Sequence, residues 1–275
     1  MPFELRLRIA HENPPDQPVE PRPAATIVLL RDADAGVEVL LLRRNRSAGF
    51  VPGAYVFPGG GVDGTDAADE TLAFLDGLTP DGAAHRLGLF DGDPPAIAYY
   101  LAALREAFEE TGILVGRDVR GMEPATAAED EQVDATRDDL MEDRISFPQA
   151  LERLECRIDG ASVEYLAHWI TPEPEPRRYD TRFFAAKVRE GATPIVDPRE
   201  MTDAVWITPD AALARSDEGT LPMIFPTIKT LEQLRDYGTT EEALASLAGR
   251  SVRTVLPTLV ITETGIRLEL EEGEV

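Results

Sequence analysis

Two stretches decide the fold of this chain: Phe57-Pro58-Gly59-Gly60-Gly61-Val62-Asp63 and Arg105-Glu106-Ala107-Phe108-Glu109-Glu110-Thr111-Gly112-Ile113. Apolar residues recur at helical spacing through the second stretch, at Leu101, Leu104 and Phe108, and predict a helix with one apolar face. Gly112 follows the last of these residues, where a left-handed glycine commonly ends a helix. We therefore expect a glycine-rich turn and a helix that ends near Thr111.

Three glutamates of this helix, Glu106, Glu109 and Glu110, are spaced i, i+3 and i+4, so their carboxylates share one face. Like charges at this spacing repel by roughly 0.2–0.5 kcal/mol per pair, and Arg105 alone cannot neutralise all three. A hard divalent cation could, since Mg²⁺ takes oxygen ligands and completes its shell with substrate phosphates. The alternative is an acidic helix face that only contacts water.

The order of residues around the glutamates resembles the box of the Nudix hydrolases, Gly-x5-Glu-x7-Arg-Glu-aliphatic-x-Glu-Glu-x-Gly-aliphatic. Gly60 matches the left half of the box, and Ala107 is a small residue at its aliphatic position. The right half of the box matches at Arg105, Glu106, Glu109, Glu110, Gly112 and Ile113.

The middle of the box is interrupted. Gly60 and Arg105 lie 45 positions apart, against 14 in the unbroken pattern, so 31 residues are inserted. The first acid of the box falls on Asp66 when counted forward from Gly60 and on Ile97 when counted back from Arg105, and both alternatives stay open. Interrupted boxes resemble the branch of coenzyme A and acyl-coenzyme A diphosphatase-like proteins.

The resemblance implies an α/β fold, a Nudix α/β/α sandwich with a mixed sheet, and hydrolysis of a nucleoside diphosphate linked to another group. It implies a Mg²⁺ or Mn²⁺ cofactor and a small-molecule substrate. The implied catalytic residues are Arg105, Glu106, Glu109 and Glu110. The implied metal ligands are Glu106, Glu109, Glu110 and Gly60, with Gly60 and Gly61 presenting main-chain atoms to metal or substrate.

Arginines form two clusters in this acidic chain. Arg43, Arg44 and Arg46 stand before the glycines, and Arg177, Arg178 and Arg182 lie in a stretch from Trp169 to Phe184 that resembles the same branch. Guanidinium groups bind phosphate oxygens in bidentate fashion, so we expect Arg44, Arg177, Arg178 and Arg182 to contact substrate. The alternatives are that Arg44 only solvates a strand edge and that the others pair with nearby acids.

Composition narrows the classes of partner. The chain has 275 residues, 51 Asp and Glu against 27 Lys and Arg, and a formal net charge of −24. Binding to nucleic acid or to an anionic membrane depends on clustered cations, so we expect neither partner. One cysteine excludes an internal disulfide. No signal-peptide core is present at the N-terminus, and we expect a cytoplasmic protein.

The chain divides into an extended lead-in at 1–23, a hydrolase domain at 24–250 and a β extension at 251–275. The insertion, about 66–95, is expected to be a lid, a binding wall or a surface elaboration. Residues of about 123–157 are expected to form a helical cap. The extension has the edge-strand character that often pairs with a second copy of a chain, so a homodimer is possible.

Local patterns also predict individual elements. Strands are expected at Ile113–Val115 and Val163–Ile170, and helices at Thr126–Met141, Ser146–Leu154 and Thr240–Leu247. The last strand of the core is expected at Asp203–Thr208, and a hairpin is expected within Val252–Leu270.

Three functions remain in competition. The first is hydrolysis of coenzyme A or acyl-coenzyme A, and the second is the same chemistry on ADP-ribose, a dinucleotide or another nucleoside diphosphate. The third is a ligand sensor of the same fold that does not hydrolyse, against which the intact set Glu106, Glu109 and Glu110 argues.

Overall fold

A computed structural model describes residues 18–46, 51–173, 175, 177–262 and 265–270. Its strands are β1 (Arg22–Ala33), β2 (Gly36–Arg44), β3 (Tyr55–Val56), β4 (Gly59–Gly61), β5 (Leu75–Asp76), β6 (Gly116–Asp118), β7 (Cys156–Asp159), β8 (Val163–Ile170), β9 (Tyr179–Lys187), β10 (Met201–Ile207), β11 (Thr254–Val255), β12 (Thr258–Thr262) and β13 (Gly265–Glu269). Its helices are α1 (Asp69–Leu72), α2 (Pro80–Leu87), α3 (Ala96–Thr111), α4 (Glu131–Met141), α5 (Phe147–Arg153), α6 (Pro209–Asp217), α7 (Phe225–Leu234) and α8 (Thr240–Leu247).

The main sheet has eight strands and mixed directions. Six of them run in the order β10-β2-β1-β9-β8-β11, while β3 pairs with β2 and β4 pairs with β1. The strand β1 is parallel to β9, and β11 is parallel to β8, whereas the other pairs in this sheet are antiparallel. The central strand β1 therefore holds β4, with the glycine turn, on one side and β9, with Arg182, on the other.

Both faces of this sheet are apolar because helices cover both of them. On β1 the side chains of Ile27 and Leu29 point into a core shared with α3, and those of Val28 and Leu30 point into a second core shared with α6, α7 and α8. Successive strand residues face opposite sides, so strands with a layer on each face read as continuous apolar runs. The predicted α/β/α sandwich with a mixed sheet is confirmed.

The helix α3 is buried on nearly every side, whereas its sequence predicts a single apolar face. Leu101, Leu104 and Phe108 have no exposed surface, as predicted, but Ala96 to Leu104 are all buried. One side packs on the main sheet and the other on the insertion and the cap. Gly112 ends the helix in a left-handed conformation, with φ of 68°, which confirms the predicted end.

The insertion and the cap are joined by a small sheet of their own. The insertion strand β5 runs parallel to β7, and β6 pairs with the other edge of β7. Arg157 on β7 reinforces the junction, since its guanidinium binds both carboxylate oxygens of Asp76 and the main-chain oxygen of Ala73. The insertion is thus bound to the cap by strand pairing and by side-chain hydrogen bonds.

Two predicted elements differ from those observed in the structure. Ile113–Val115 form no strand, although their side chains are buried. An apolar run indicates that residues are buried, but it does not show that they pair with another strand. The helix predicted at Thr126–Met141 begins at Glu131, where the Asp130 carboxylate accepts hydrogen bonds from the main-chain N–H groups of Gln132 and Val133. Such acceptors commonly fix the first turn of a helix.

The ends of the chain differ from the predicted outline. The strand β11 lies inside the predicted extension but pairs with β8 in the main sheet, so β10 is not the last strand of the core as expected. The strand β1 begins at Arg22, two residues inside the predicted lead-in, and the first 17 residues lie outside the described part. The predicted C-terminal hairpin is formed by β12 and β13, and its turn, Glu263-Thr264, lies outside the described residues. Within the described ranges, every helix is too short or too polar to cross a membrane.

Replacement of Gly112 by alanine should destabilise the fold more than the same change at another helix end. A Cβ on Gly112 would lie 2.5 Å from Ala127 Cβ and 2.8 Å from Ile195 Cγ2. Left-handed strain and overpacking together should cost about 2–4 kcal/mol of unfolding free energy.

Gly88 is a matched control, because it ends α2 at φ of 63° with open space around its Cα. Gly88→Ala should cost only about 1 kcal/mol. Denaturant unfolding of the two variants measures the difference, and equal losses would contradict the packing argument.

Candidate functional site

The segment predicted as a glycine turn has its three glycines, Gly59–Gly61, in the strand β4 without positive φ, and it lies directly against the acidic face of α3. The main-chain N–H of Gly59 donates a 2.9 Å hydrogen bond to Glu110 Oε2. A Cβ on Gly60 would lie 2.4 Å from Glu106 Oε1, so only glycine allows this approach. Gly60 and Gly61 pair with Ala25 and Ala24 of β1. Pairing with β1 thus places the glycines beside the predicted catalytic carboxylates.

Arg105 binds four groups from both halves of the site. Its Nε and Nη2 contact the two carboxylate oxygens of Asp66 at 2.8 and 3.2 Å. Its Nη1 donates to Glu106 at 2.8 Å and lies 3.3 Å from Glu109. Its Nη2 also donates to the main-chain oxygen of Gly61 at 3.0 Å. One guanidinium therefore connects the turn, the start of the insertion and the helix.

These contacts decide between the two candidates for the first acid of the box. Asp66 is 2% exposed, pairs with Arg105 and accepts a 2.7 Å hydrogen bond from the main-chain N–H of Asp63. Ile97, the other candidate, is buried in the apolar core at the start of α3. The acid position therefore belongs to Asp66, and the inserted residues follow it in the chain.

Burial sets the electrostatics of the glutamates. Burial raises the pKa of Glu106 to about 7, with Glu109 adding to the rise and Arg105 opposing it. The pKa of Glu109 is raised by burial against the pull of Arg105. Burial, with Glu106 nearby, raises the pKa of Glu110 well above its usual range, although the Gly59 N–H and Arg44 oppose this. Ionised carboxylates here need more positive charge than the two arginines supply.

This donor set fits a hard divalent cation. Carboxylate oxygens of Glu106, Glu109 and Glu110 are the ligands that Mg²⁺ and Mn²⁺ prefer, and the glycine cradle leaves main-chain atoms beside them. In the part of the chain that the structure describes, no three acidic, histidine or cysteine side chains form a ready-made metal cluster. Arg105 Nη1 contacts both Glu106 and Glu109.

Arg44, one of the predicted substrate-binding arginines, acts electrostatically on a glutamate of the box. It ends β2 and is half-buried, and its charge lowers the pKa of Glu110. Its Nε is buried with no hydrogen-bond partner among the described residues. A role of Arg44 in substrate binding stays a prediction.

The cluster predicted at Arg177, Arg178 and Arg182 is divided by the structure. Arg178 is buried and donates to the main-chain oxygens of Thr171 and Val19, at 2.9 and 2.8 Å. These bonds attach the β8–β9 connection to the lead-in. Arg177 is exposed on that connection. A role of either arginine in substrate binding stays a prediction.

Arg182 is placed differently, against the catalytic helix. Its guanidinium carbon lies 4.1 Å from the ring centroid of Tyr99 on α3, and its Nη1 contacts Asp180 at 3.1 Å. The carboxylate of Asp180 also bonds His168 Nε2. Arg182 and Tyr99 line a cavity of about 500 Å³, which is bounded by the lead-in and the insertion.

Some residues of the site are absent from the sequence-based assignment. Gly59 stands in the quoted turn, but its hydrogen bond to Glu110 has no sequence signal. Arg137 of α4 donates from Nε to the main-chain oxygen of Glu109 at 2.7 Å, and supports the end of the helix from the cap. Tyr99 lies two helical turns before Glu106 on α3, and its sequence pattern is typical of an ordinary core residue. Packing of distant elements brings all three into the site.

Comparisons with known proteins agree with this geometry. The family model described as NUDT19 Nudix domain matches residues 19–234. A crystal structure of a NUDIX hydrolase from Alicyclobacillus acidocaldarius superposes with a TM-score of 0.67 and 29% sequence identity, covering 85% of this chain and 99% of that one. The family match spans β1 to β10, the box and the cap, and ends before β11.

Curated relatives carry a more specific name, acyl-coenzyme A diphosphatase NUDT19. The Xenopus laevis protein is 25% identical over 260 residues, which are 83% of this chain and 68% of the relative. The Gallus gallus protein is 31% identical over 211 residues, which are 65% of this chain and 56% of the relative. The chain thus spans between about half and two thirds of the length of these relatives.

Replacement of Asp66 by asparagine should loosen the site. The change leaves Arg105 without a charged partner on the turn side, and hydrogen bonds to charged groups contribute about 1.5–3 kcal/mol. We expect the unfolding free energy to fall by that amount. Asp63→Asn is the control, because the Asp63 carboxylate bonds only the adjacent Thr65 among the contacts described. Denaturant unfolding measures both, and an unchanged Asp66→Asn variant would count against the pairing.

Proposed function

The chain belongs to the NUDT19 Nudix domain family, and we propose that it hydrolyses the diphosphate of coenzyme A or of an acyl-coenzyme A with the help of Mg²⁺ or Mn²⁺. The observation that carries the proposal is the set of the half-buried Glu106 and Glu109, which Arg105 binds, and the buried Glu110, which the Gly59 N–H binds. Buried carboxylates with raised pKa values and too little positive charge around them fit a site for a dication and a diphosphate.

Each residue of the site has a part in this reaction. Glu109 and Glu110 would hold the cation, and Glu106 would hold it or orient the attacking water. Arg105 would keep Glu106 and Glu109 in position, and Arg44 would face the substrate phosphates. When bound, the cation would offset negative charge on the diphosphate and help to activate water. Positioning and electrostatics would supply most of the rate.

The substrate class follows from the relatives. Those from Xenopus laevis and Gallus gallus are named acyl-coenzyme A diphosphatases, and the interrupted box of this chain resembles the same branch. ADP-ribose and other nucleoside diphosphates are the alternative substrates. A sensor without turnover is the alternative function, and the complete set of three glutamates argues against it.

A substrate panel tests the proposal. Purified protein is incubated with coenzyme A, an acyl-coenzyme A, ADP-ribose and a dinucleotide, with and without Mg²⁺, and the products are separated and quantified. We expect cation-dependent cleavage of the coenzyme A compounds at the highest kcat/KM. Faster cleavage of ADP-ribose would overturn the substrate assignment, and no cleavage of any compound would overturn the reaction.

Glu109→Gln should abolish most of the turnover while the fold persists. The amide keeps the size of the side chain but binds a hard dication less well than a carboxylate. Losses for comparable electrostatic groups are on the order of 10²–10³ in kcat. Unfolding free energy should change little, because one like-charge neighbour is removed.

The matched control is Glu152→Gln on α5, an exposed glutamate outside the site. This variant should keep wild-type kcat/KM at saturating Mg²⁺. A Glu109→Gln enzyme within about threefold of wild type, roughly 0.6 kcal/mol in activation free energy, would remove Glu109 from the metal site.

We also propose that the hairpin of β12 and β13 mediates a homodimer. Among the described residues this hairpin pairs with no third strand, and open strand edges readily pair with another chain. Light scattering should give a dimer mass at micromolar concentration for the full chain and a monomer mass for a version that stops at residue 257. A monomeric full chain would exclude this interface.

A further inference from the structure

We propose that the cavity beside α3 receives the pantetheine arm of the substrate, an uncharged chain that carries amide groups. The cavity measures about 500 Å³ and is lined by Tyr99, Asp180 and Arg182 together with parts of the lead-in and the insertion. This inference rests on the proposed function, since it names the part of a coenzyme A that lies away from the reacting diphosphate.

The position of the cavity matches the reach of such an arm. Arg182 is in register with Ala25 of β1, which is in register with Gly60 on the other side. Registered residues face the same side of a sheet and strands are spaced at about 4.8 Å, so Arg182 lies ~10 Å from Gly60. Tyr99 precedes Glu106 by two helical turns, again ~10 Å. A group attached to a diphosphate at the box therefore extends to the cavity.

The insertion supplies one wall of this cavity. Leu89, Gly92, Asp93 and Pro94 line it opposite the lead-in residues 20–23. The strand pairing of β5 with β7 keeps the insertion attached to the cap. An unbroken box would lack this wall, so the cavity is a product of the interruption. On this proposal the insertion would act as a binding wall, one of its three expected roles.

The charges around the cavity favour an uncharged occupant. Glu20, Asp93 and Asp180 line it against Arg22 and Arg182, so acids outnumber bases. A dianionic phosphate, such as the 3′-phosphate of coenzyme A, is repelled by such a surface. The apolar parts of Leu89, Pro94 and Tyr99 alternate with these polar groups, which suits a chain of methylene and amide groups.

Arg182 is held ready to bind such a chain. It is 6% exposed and is fixed by the ring of Tyr99 and the carboxylate of Asp180. Asp180 is itself held by His168, whose Nδ1 lies 2.9 Å from Thr254 Oγ1. The buried Nε of Arg182 has no partner among the described residues. An unpaired buried donor costs about 1–3 kcal/mol, and an amide carbonyl that reached this nitrogen would relieve that cost.

Calorimetric titrations with the two halves of coenzyme A test the assignment. One probe is 4′-phosphopantetheine and the other is adenosine 3′,5′-bisphosphate, each titrated in Mg²⁺ into wild type, Arg182→Gln and the control Arg120→Gln. Arg120 is an exposed arginine that pairs with Asp118. For Arg182→Gln we expect the Kd of 4′-phosphopantetheine to rise about tenfold or more, as for loss of one good contact. The Kd of the bisphosphate should stay within about twofold.

Weaker binding of the bisphosphate alone, or no change for either probe, would overturn the inference. Asp93→Lys provides a second variant at an exposed position, in case Arg182→Gln fails to fold. It should leave the Kd of the bisphosphate within about twofold, whereas a tightening of about fivefold or more would assign the cavity to the nucleotide. These titrations need no turnover, so an inactive wild type would reject the proposed function without deciding the cavity.

Discussion

The ion pair between Arg105 and Asp66 is the contact on which the site depends. Asp66 ends the glycine turn and Arg105 begins the acidic face of α3, and the insertion separates them in the chain. The same guanidinium binds Glu106 and the main-chain oxygen of Gly61. The rigid, planar fork of arginine suits this simultaneous contact. Because of this pair, a box that is interrupted in sequence is continuous in space.

The acids of the site work against the stability of the fold. The chain carries a net charge of −24, and most of its acids lie where water screens them. Glu110 is instead buried, and burial raises its pKa well above the usual range. Removing a carboxylate from water is costly unless charge and hydrogen bonds compensate. Buried acids whose negative charge the protein alone compensates poorly are expected at sites where a bound cation and substrate complete the balance of charge.

The insertion and the cap change the character of the central helix. In a simple sandwich α3 would have one face on the sheet and one in water. Here β5, β6 and β7 tie the insertion to the cap, and the combined unit covers the second face of α3. The same unit supports the helix end through Arg137 and forms one side of the cavity next to Tyr99 and Arg182. The interruption thus adds a wall to the cavity without separating Asp66 from Arg105.

Local sequence determined the features that depend on neighbours in the chain. The period of α3 and its glycine end, the shared face of the glutamates, and elements such as β8 and α8 all follow from spacing and turn chemistry. Tertiary structure alone decided that Asp66, not Ile97, completes the box, and that Arg178 binds main-chain oxygens while Arg182 lines a cavity. It also decided that Ile113–Val115 are buried without pairing. The reason is physical: periodicity records whether a residue is buried, but its partners come from elements far away in the chain, and only packing brings those together.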